Sequence, residues 1–368
     1  MFIKKIEKES LLKPLLTVIG IVERKQTLPI LSNVLIEKTG GEIRFTSTDL
    51  EIQITTTIIC NDEDSKSLSI TVGAKKFHEI LRILPEQSII SIESNDNKIE
   101  IKTKNSKFRL QTLPFQDFPK LSNQLQNPIK IKLSQKKLKK LFLSIQFAMA
   151  QQDVRYYLNG ALLIIEKNRL KVVATDGHRL AYNEIDIDEN YERQDIILPR
   201  KAIIELCKLL GDNNESIEIE ISPQQVKACF SGITLITKVI DGKFPDYKRV
   251  IPKYINQLII NRIQIQQALQ RVALLSNEKF RGVRFVLTEK KLTVISSNSE
   301  QEEAQEEIET SYHAEAIDIG FNIHYLIDVL NNIEGDEITF SFGDPNSSLL
   351  ITTEKNPEFS YVVMPMRI

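Results

Sequence analysis

Asp49, Asp176 and Asn298 each close an apolar, β-branched run: IRFTST before Asp49, LKVVAT before Asp176 and LTVISS before Asn298. Two such aspartates invite a metal-dependent nuclease, since paired carboxylates hold divalent cations at such sites. An asparagine in the third position points elsewhere. An Asx side chain that accepts backbone N–H bonds and folds a turn suits all three. His178, within TDGHRL, has the type of a general base, yet no serine or cysteine in a nucleophile setting accompanies it. The four histidines (His78, His178, His313, His324) and three cysteines (Cys60, Cys207, Cys229) have no metal-ligand spacing and no CxxC. The cysteines read as buried thiols. The sequence therefore predicts no catalytic residue, no metal and no cofactor.

What recurs is the setting of these residues. Asp176 lies 127 positions after Asp49, and Asn298 lies 122 after Asp176. A period of that length is a repeated domain. Each copy reads helix, strands, helix, strands, an α+β unit, with boundaries at 1–125, 129–253 and 254–368. In copy one, Leu11, Leu12, Leu15, Leu16, Ile19 and Val22 fall at helical spacing after Ser10, a plausible N-cap, and Pro14 is tolerable near the helix start. Ile43–Ile52 reads as one strand, and Lys75–Leu84 as a second helix. In copy two, Ser134 caps a helix carrying Leu138, Leu141, Phe142, Ile145 and Met149. A strand at Asp195–Leu198 then leads into the helix Pro199–Leu210. Copy three places Ile265, Ala268, Leu269 and Val272 on its first helix and Ile323–Ile333 on its second.

With 368 residues, 42% of them hydrophobic and 26% charged, the chain is an ordinary globular one. No run spans a bilayer, and MFIKKIEKES lacks a signal h-region, so a cytoplasmic setting is expected. The net charge of −1 excludes a global attraction to nucleic acid and requires any phosphate-binding surface to be local. Lysines and arginines do gather near helix ends in all three copies: Arg24-Lys25, Lys75-Lys76, Lys136-Lys137, Arg200-Lys201, Arg262. Such clusters contact phosphates without reading sequence. Two strands are charged with opposite sign. One carries Lys102, Lys104, Lys107 and Arg109, the other Glu300, Glu302 and Glu303 within EQEEAQEEIE. Each reads either as a soluble edge strand protected by its charge or as half of a head-to-tail contact, basic edge against acidic edge between two chains, which makes a ring if it closes and would have Phe108, Leu110, Leu274 and Leu275 as its apolar contact.

The strings TLPILSN, QDVRYYLNG, ATDGHRLA, GKFPDYKRV, LSNEKFRGVR and YVVMPMR run from end to end. By them the chain resembles the bacterial sliding-clamp family, the β subunits of DNA polymerase III. The resemblance implies three clamp domains, with helices inside and antiparallel sheets outside. It implies a head-to-tail dimer forming a six-domain ring around double-stranded DNA. It implies a non-catalytic processivity factor, loaded by an ATPase clamp loader, that tethers DNA polymerases and other proteins carrying a clamp-binding motif. A partner-peptide groove would be formed by Leu158, Thr175, Gly177, His178, Arg179 and Leu180, by Pro245, Arg249 and Val250, by Ser348, and by the tail Val362, Val363, Met364, Pro365, Met366 and Arg367. Adaptable methionines suit many partners, and Arg179 and Arg367 suit acidic or carbonyl groups of a peptide. DNA contacts would fall to Lys25, Gln152, Tyr156, Tyr157, Arg200 and Lys201. Lys25 stands where the family commonly has arginine, a point charge in place of a bidentate fork. The competing reading is a non-topological, sequence-independent DNA-binding protein; no recognition helix with base-reading side chains is evident.

Overall fold

A computed structural model describes residues 3–22, 28–60, 67–95 and 97–367. The first repeat runs β1 (Ile3–Glu7), α1 (Lys8–Ile19), β2 (Asn33–Thr39), β3 (Glu42–Thr48), β4 (Ile52–Ile59), β5 (Leu68–Gly73), α2 (Ala74–Ile83), β6 (Ile89–Asn95), β7 (Lys98–Lys102) and β8 (Lys107–Gln111). The second runs β9 (Ile129–Ser134), α3 (Gln135–Leu143), β10 (Gly160–Thr175), β11 (Arg179–Pro199), α4 (Arg200–Leu209), β12 (Ser216–Ile221), β13 (Gln225–Phe230) and β14 (Ile233–Lys238). The third runs β15 (Asn256–Asn261), α5 (Arg262–Val272), β16 (Gly282–Thr288), β17 (Lys291–Ser297), β18 (Glu303–Glu309), β19 (Ile317–Asn322), α6 (Ile323–Asn332), β20 (Glu337–Phe342), β21 (Leu349–Thr353) and β22 (Asn356–Val363). None of the described helices is long and apolar enough to cross a membrane.

The repeat is visible in register. Thr48 pairs with Gln53, Thr175 with Leu180 and Ser297 with Glu303, each across the turn that the Asx residue opens. Ser47 Oγ donates to the Val18 carbonyl at the end of α1, and Ser296 Oγ to the Val272 carbonyl at the end of α5. These hydroxyls satisfy acceptors that the helix termini leave over.

By contacts the chain divides into two compact units, residues 1–137 with 204–239, and residues 138–203 with 240–368. The division cuts the middle repeat because its strands serve both neighbours. In the first unit, β5-β2-β3-β4-β14-β13-β12-β9 form one eight-stranded sheet, and β1-β6-β7-β8 a four-stranded one. In the second, β10-β11-β22-β21-β20-β15 form a six-stranded sheet, and β18-β17-β16-β19 another of four. The pairings among the described strands are antiparallel, with β4 joined to β14 and β11 to β22 across repeat boundaries.

Several expectations need correction. Ile43–Ile52 is not one strand: β3 ends at Thr48, and Asp49 folds a turn into β4. Asp195–Leu198 is the end of the 21-residue β11, whose polar centre hides its strand character. α1 begins at Lys8, so Ser10 lies within its first turn and the preceding Glu7 makes no side-chain cap. Pro14 therefore sits in the second turn. The loss of one helical bond is tolerated while Leu11, Leu15 and Val18 bury the same face. Lys8 is itself buried, its Nζ donating to the Leu84 carbonyl at 2.7 Å and the Arg82 carbonyl at 3.3 Å, a cation on the carbonyl end of α2. Cys60 and Cys207 are buried thiols, whereas Cys229 is half-buried.

Candidate functional site: an apolar groove beside the β11–β22 junction

The three Asx residues act alike. Asp49 Oδ1 accepts the N–H groups of Glu51 and Ile52 at 3.0 and 2.8 Å. Asp176 Oδ1 accepts those of His178 and Arg179 at 2.9 and 3.1 Å. Asn298 Oδ1 accepts those of Glu300 and Glu302 at 2.9 and 3.0 Å. All three are turn formers with their acceptor atoms in use. Among the described residues no group of three or more His, Cys, Asp or Glu is placed to hold a metal.

What distinguishes the middle turn is the space beside it. A cavity of about 190 Å³ opens between the Thr175–Leu180 turn, the Leu158 segment, the Pro245–Val250 link and the end of β22. Of the residues named for a groove, Leu158, Thr175, Gly177, Arg179, Leu180, Pro245, Val250, Val362 and Met364 line it. His178, Arg249, Ser348, Val363, Pro365, Met366 and Arg367 do not. The reasons are local. Val363 is buried within the sheet opposite Arg179. The His178 carbonyl accepts the Met364 N–H at 2.9 Å, and the Met366 N–H is drawn to the Gly320 carbonyl at 2.8 Å. Arg249 turns to Asp246 at 2.8 Å. Leu162, Ile164, Val173, Ile197 and Phe244 pack beneath as a buried cluster that includes Leu180, Tyr247 and Val362.

Sequence reasoning missed three lining residues: Arg155, Tyr247 and, in this role, Tyr157. Arg155 is fixed by Asp153, whose two carboxylate oxygens accept from it at 3.0 and 2.9 Å. That guanidinium holds the Asp153 carboxyl well below its usual range, at about 2. Gly177, at φ +91°, lies under it; a Cβ there would come within 3.0 Å of the guanidinium. Glycine is suited on both counts. Tyr182 and Tyr247 stack with centroids 5.7 Å apart.

Arg179 is not the free cation the sequence suggested. Its Nε donates to Asp176 at 3.0 Å, one Nη to Asp328 of α6 at 2.6 Å and the other to the Phe147 carbonyl at 2.5 Å. The guanidinium also lies 4.4 Å from the Tyr325 ring centroid. It is spoken for within the chain and offers the groove its stem.

The expected DNA residues are differently exposed. Lys25 lies outside the described residues. Gln152 and Tyr156 are exposed, and Tyr156 meets Tyr157 edge-on at 5.9 Å. Arg200 is half-buried and donates to the Gln146 and Met149 carbonyls at 3.2 and 2.8 Å; burial pushes its pKa down. Lys201 follows it, half-buried. The Asn159 side chain ties the loop together, accepting from the Asp153 N–H and donating to the Asp153 carbonyl, both at 2.9 Å.

The charged strands are both sheet edges. β8 ends its sheet with Lys107, Arg109 and the nearby Lys104 exposed, and Phe108 and Leu110 half-buried. Lys102, Lys107 and Arg109 surround Glu100 at 2.8–2.9 Å; led by Lys107, they hold its carboxyl down at about 2. β18 ends another sheet with Glu303 exposed; Glu300 and Glu302 precede it, exposed as well. Leu274 is largely exposed and Leu275 half-buried.

The comparisons with known proteins now have a structure to meet. Descriptions of the DNA polymerase III beta subunit match in three consecutive pieces: its N-terminal domain over residues 1–122, its central domain over 132–246 and its C-terminal domain over 248–367. The beta sliding clamp of Pseudomonas putida is 42% identical, and that of Escherichia coli 38%, each aligned over 99% of both chains. A crystal structure of the DNA polymerase III subunit beta of Pseudomonas aeruginosa superposes with a TM-score of 0.94 at 41% identity, over 99% of this chain and 100% of that one. Sliding clamps of Pseudomonas aeruginosa and Bartonella birtlesii have been crystallised bound to griselimycin; each gives a TM-score of 0.94, at 41% and 34% identity, over 99% of both chains. Three clamp domains in one chain, matched along its whole length, place this protein in the β sliding-clamp family of DNA polymerase III beta subunits.

Proposed function

We propose that two copies of this chain pair head to tail into a ring that encloses duplex DNA and tethers polymerases to it. The observation that carries this reading is a strand pairing left incomplete. In the chain, β4 pairs with β14 and β11 with β22, with Gln53 opposite Ile236 and Leu180 opposite Val362. The third counterpart of β4 is β18, and the third counterpart of β14 is β8. Among the described strands both lie at the edge of a sheet. Register carries across: Glu303 is equivalent to Gln53 and Leu180, because each sits opposite the residue before its Asx turn. Arg109 is equivalent to Ile236 and Val362, counted through the strands paired beside it. Glu303 of one copy would then face Arg109 of the other, and Ala304 would face Phe108. The helix contact repeats with Glu302 in the place of Arg179 and its cation supplied from α2 by Lys76. Arg179 meets Asp328 and Tyr325 within the chain; their counterparts are Glu302 on one side, and Glu79 and Lys76 on the other. A cavity of about 820 Å³ bounded by Lys75, Lys76, Glu79 and Arg109 lies beside β8, where the Glu300–Glu302 turn of the other copy would enter.

The domains are 1–125, 129–253 and 254–368. Gln152, Tyr156, Tyr157, Lys25, Arg200 and Lys201 contact DNA, with Arg200 acting mainly as a support for the Gln146–Met149 segment. The groove takes short apolar segments of polymerases and other clamp-binding proteins, and an ATPase clamp loader opens the ring. The chain is non-catalytic and works in the cytoplasm, where the replicating DNA is. Retention comes from closure rather than affinity. After loading onto closed circular DNA at a salt concentration that suppresses phosphate contacts, the protein stays on the circle and leaves once the circle is cut. Equal retention on both would rule out the ring.

A further inference from the structure

We infer that the junction between the first and second repeats is a second copy of the groove, closed by the chain itself, and that Leu50 is the residue that closes it. This rests on the groove reading above. The walls correspond residue by residue. Ile30, Leu31, Leu35 and Phe118 form a buried cluster in the first unit. Their counterparts in the repeat are Tyr157, Leu158, Leu162 and Phe244, which line or underlie the groove. Leu31 and Leu158 both sit in short 3-10 turns just before the first strand of the sheet. Phe118-Pro119 and Phe244-Pro245 open the two links. The strand junction behind has the same register in both places.

Two of the differences close it. Where the groove has Gly177 at φ +91°, the first junction has Leu50 at φ +77°, its side chain packed on the Ile30–Leu31–Leu35–Phe118 cluster. Non-glycine residues rarely take this left-handed conformation. Leu50 holds it while its isobutyl group lies on that cluster. Where the groove floor has Leu180, the first junction has Gln53. Its Oε1 accepts the Leu121 N–H at 2.8 Å and draws the link down over the strand. Lys120 pins the same link to Glu37 at 2.8 Å. An apolar floor offers no such acceptor, and the corresponding link, at Tyr247, forms a wall instead of a cover. The ligand class of the closed site is that of the open one, a short apolar peptide segment, and its present occupant is Leu50.

The test counts sites by calorimetric titration with griselimycin, the ligand of the Pseudomonas aeruginosa and Bartonella birtlesii clamps. Wild type binds one per chain. Leu50→Gly, which suits the backbone it enters, and the double variant Leu50→Gly/Gln53→Leu bind two. The reciprocal Gly177→Leu binds none. One site on both Leu50 variants, with binding lost in Gly177→Leu, overturns the inference and leaves the groove standing. Undiminished binding by Gly177→Leu removes the groove reading, and this inference with it.

Discussion

The strands that meet inside the chain and the strands left at its edges occupy the same places in the repeat but differ in chemistry. β4 (IQITTTII) and β14 (ITLITK) are β-branched and nearly free of charge, and they join. β18 (EAQEEIE) and β8 (KFRLQ) keep the strand pattern but carry one sign of charge each. An apolar free edge would pair with any other strand, whereas a charged one repels its own kind and accepts its opposite. The difference teaches how one repeat serves two kinds of contact. The junctions within the chain are built from side-chain packing, and the edges we propose for a second chain are gated by charge.

Breaking that gate gives the largest expected effect. Lys107→Glu/Arg109→Glu sets acid against acid. Losing a desolvated charge pair costs about 2–5 kcal/mol, roughly 30-fold to several thousand-fold in dimer Kd, readable by sedimentation velocity. Restoring the dimer by mixing this variant with a Glu303→Arg chain would tie the effect to the proposed register; no rescue would break it. Removing Met364–Ile368 takes one groove wall and the Met366–Gly320 bond. Peptide affinity should fall at least tenfold, about 1.4 kcal/mol, with dimerisation unchanged. Asp328→Asn keeps an oxygen that accepts from Arg179 but removes one of its two carboxylate charges. Since Asp328 is partly exposed, the expected loss is on the order of 1 kcal/mol, seen as a lower Tm at unchanged Kd. The smallest effect is a titration. Glu100 should ionise at about 2, because Lys107, Arg109 and Lys102 favour its carboxylate. A carboxyl depressed in the folded state stabilises above its ordinary pKa, and that contribution fades as pH falls toward 2. NMR of Lys107→Gln should show Glu100 moving upward.

Much of this was legible in the sequence because it rests on local rules. The Asx turns followed from chemistry that needs only neighbouring residues, and the stripe Ile265, Ala268, Leu269, Val272 is buried in α5 as its spacing required. β11 was missed because EIDIDENYERQD has too few apolar residues to announce a strand, its order coming from the pairing with β10. Arg155 could not be read as a groove residue, since only the fold carries it over Gly177. Arg179 was misjudged for the same reason. Its partners Asp328 and Phe147 lie 149 and 32 positions away. The divergence of Leu50 from Gly177 stood in plain view, but its meaning needed the two clusters side by side.

The central claim is that β8 of one copy pairs with β18 of another in the register of the internal junctions. Opposed residues of an antiparallel pair hold their Cα atoms about 4.5–5.5 Å apart, within the range a disulfide spans. The measurement is oxidative cross-linking of a chain carrying Arg109→Cys and Glu303→Cys, beside each single variant and the pair Leu110→Cys/Glu303→Cys, whose side chains point to opposite faces. The account predicts a covalent dimer from the first pair alone. Cross-linking of the shifted pair instead, or of neither, would contradict it.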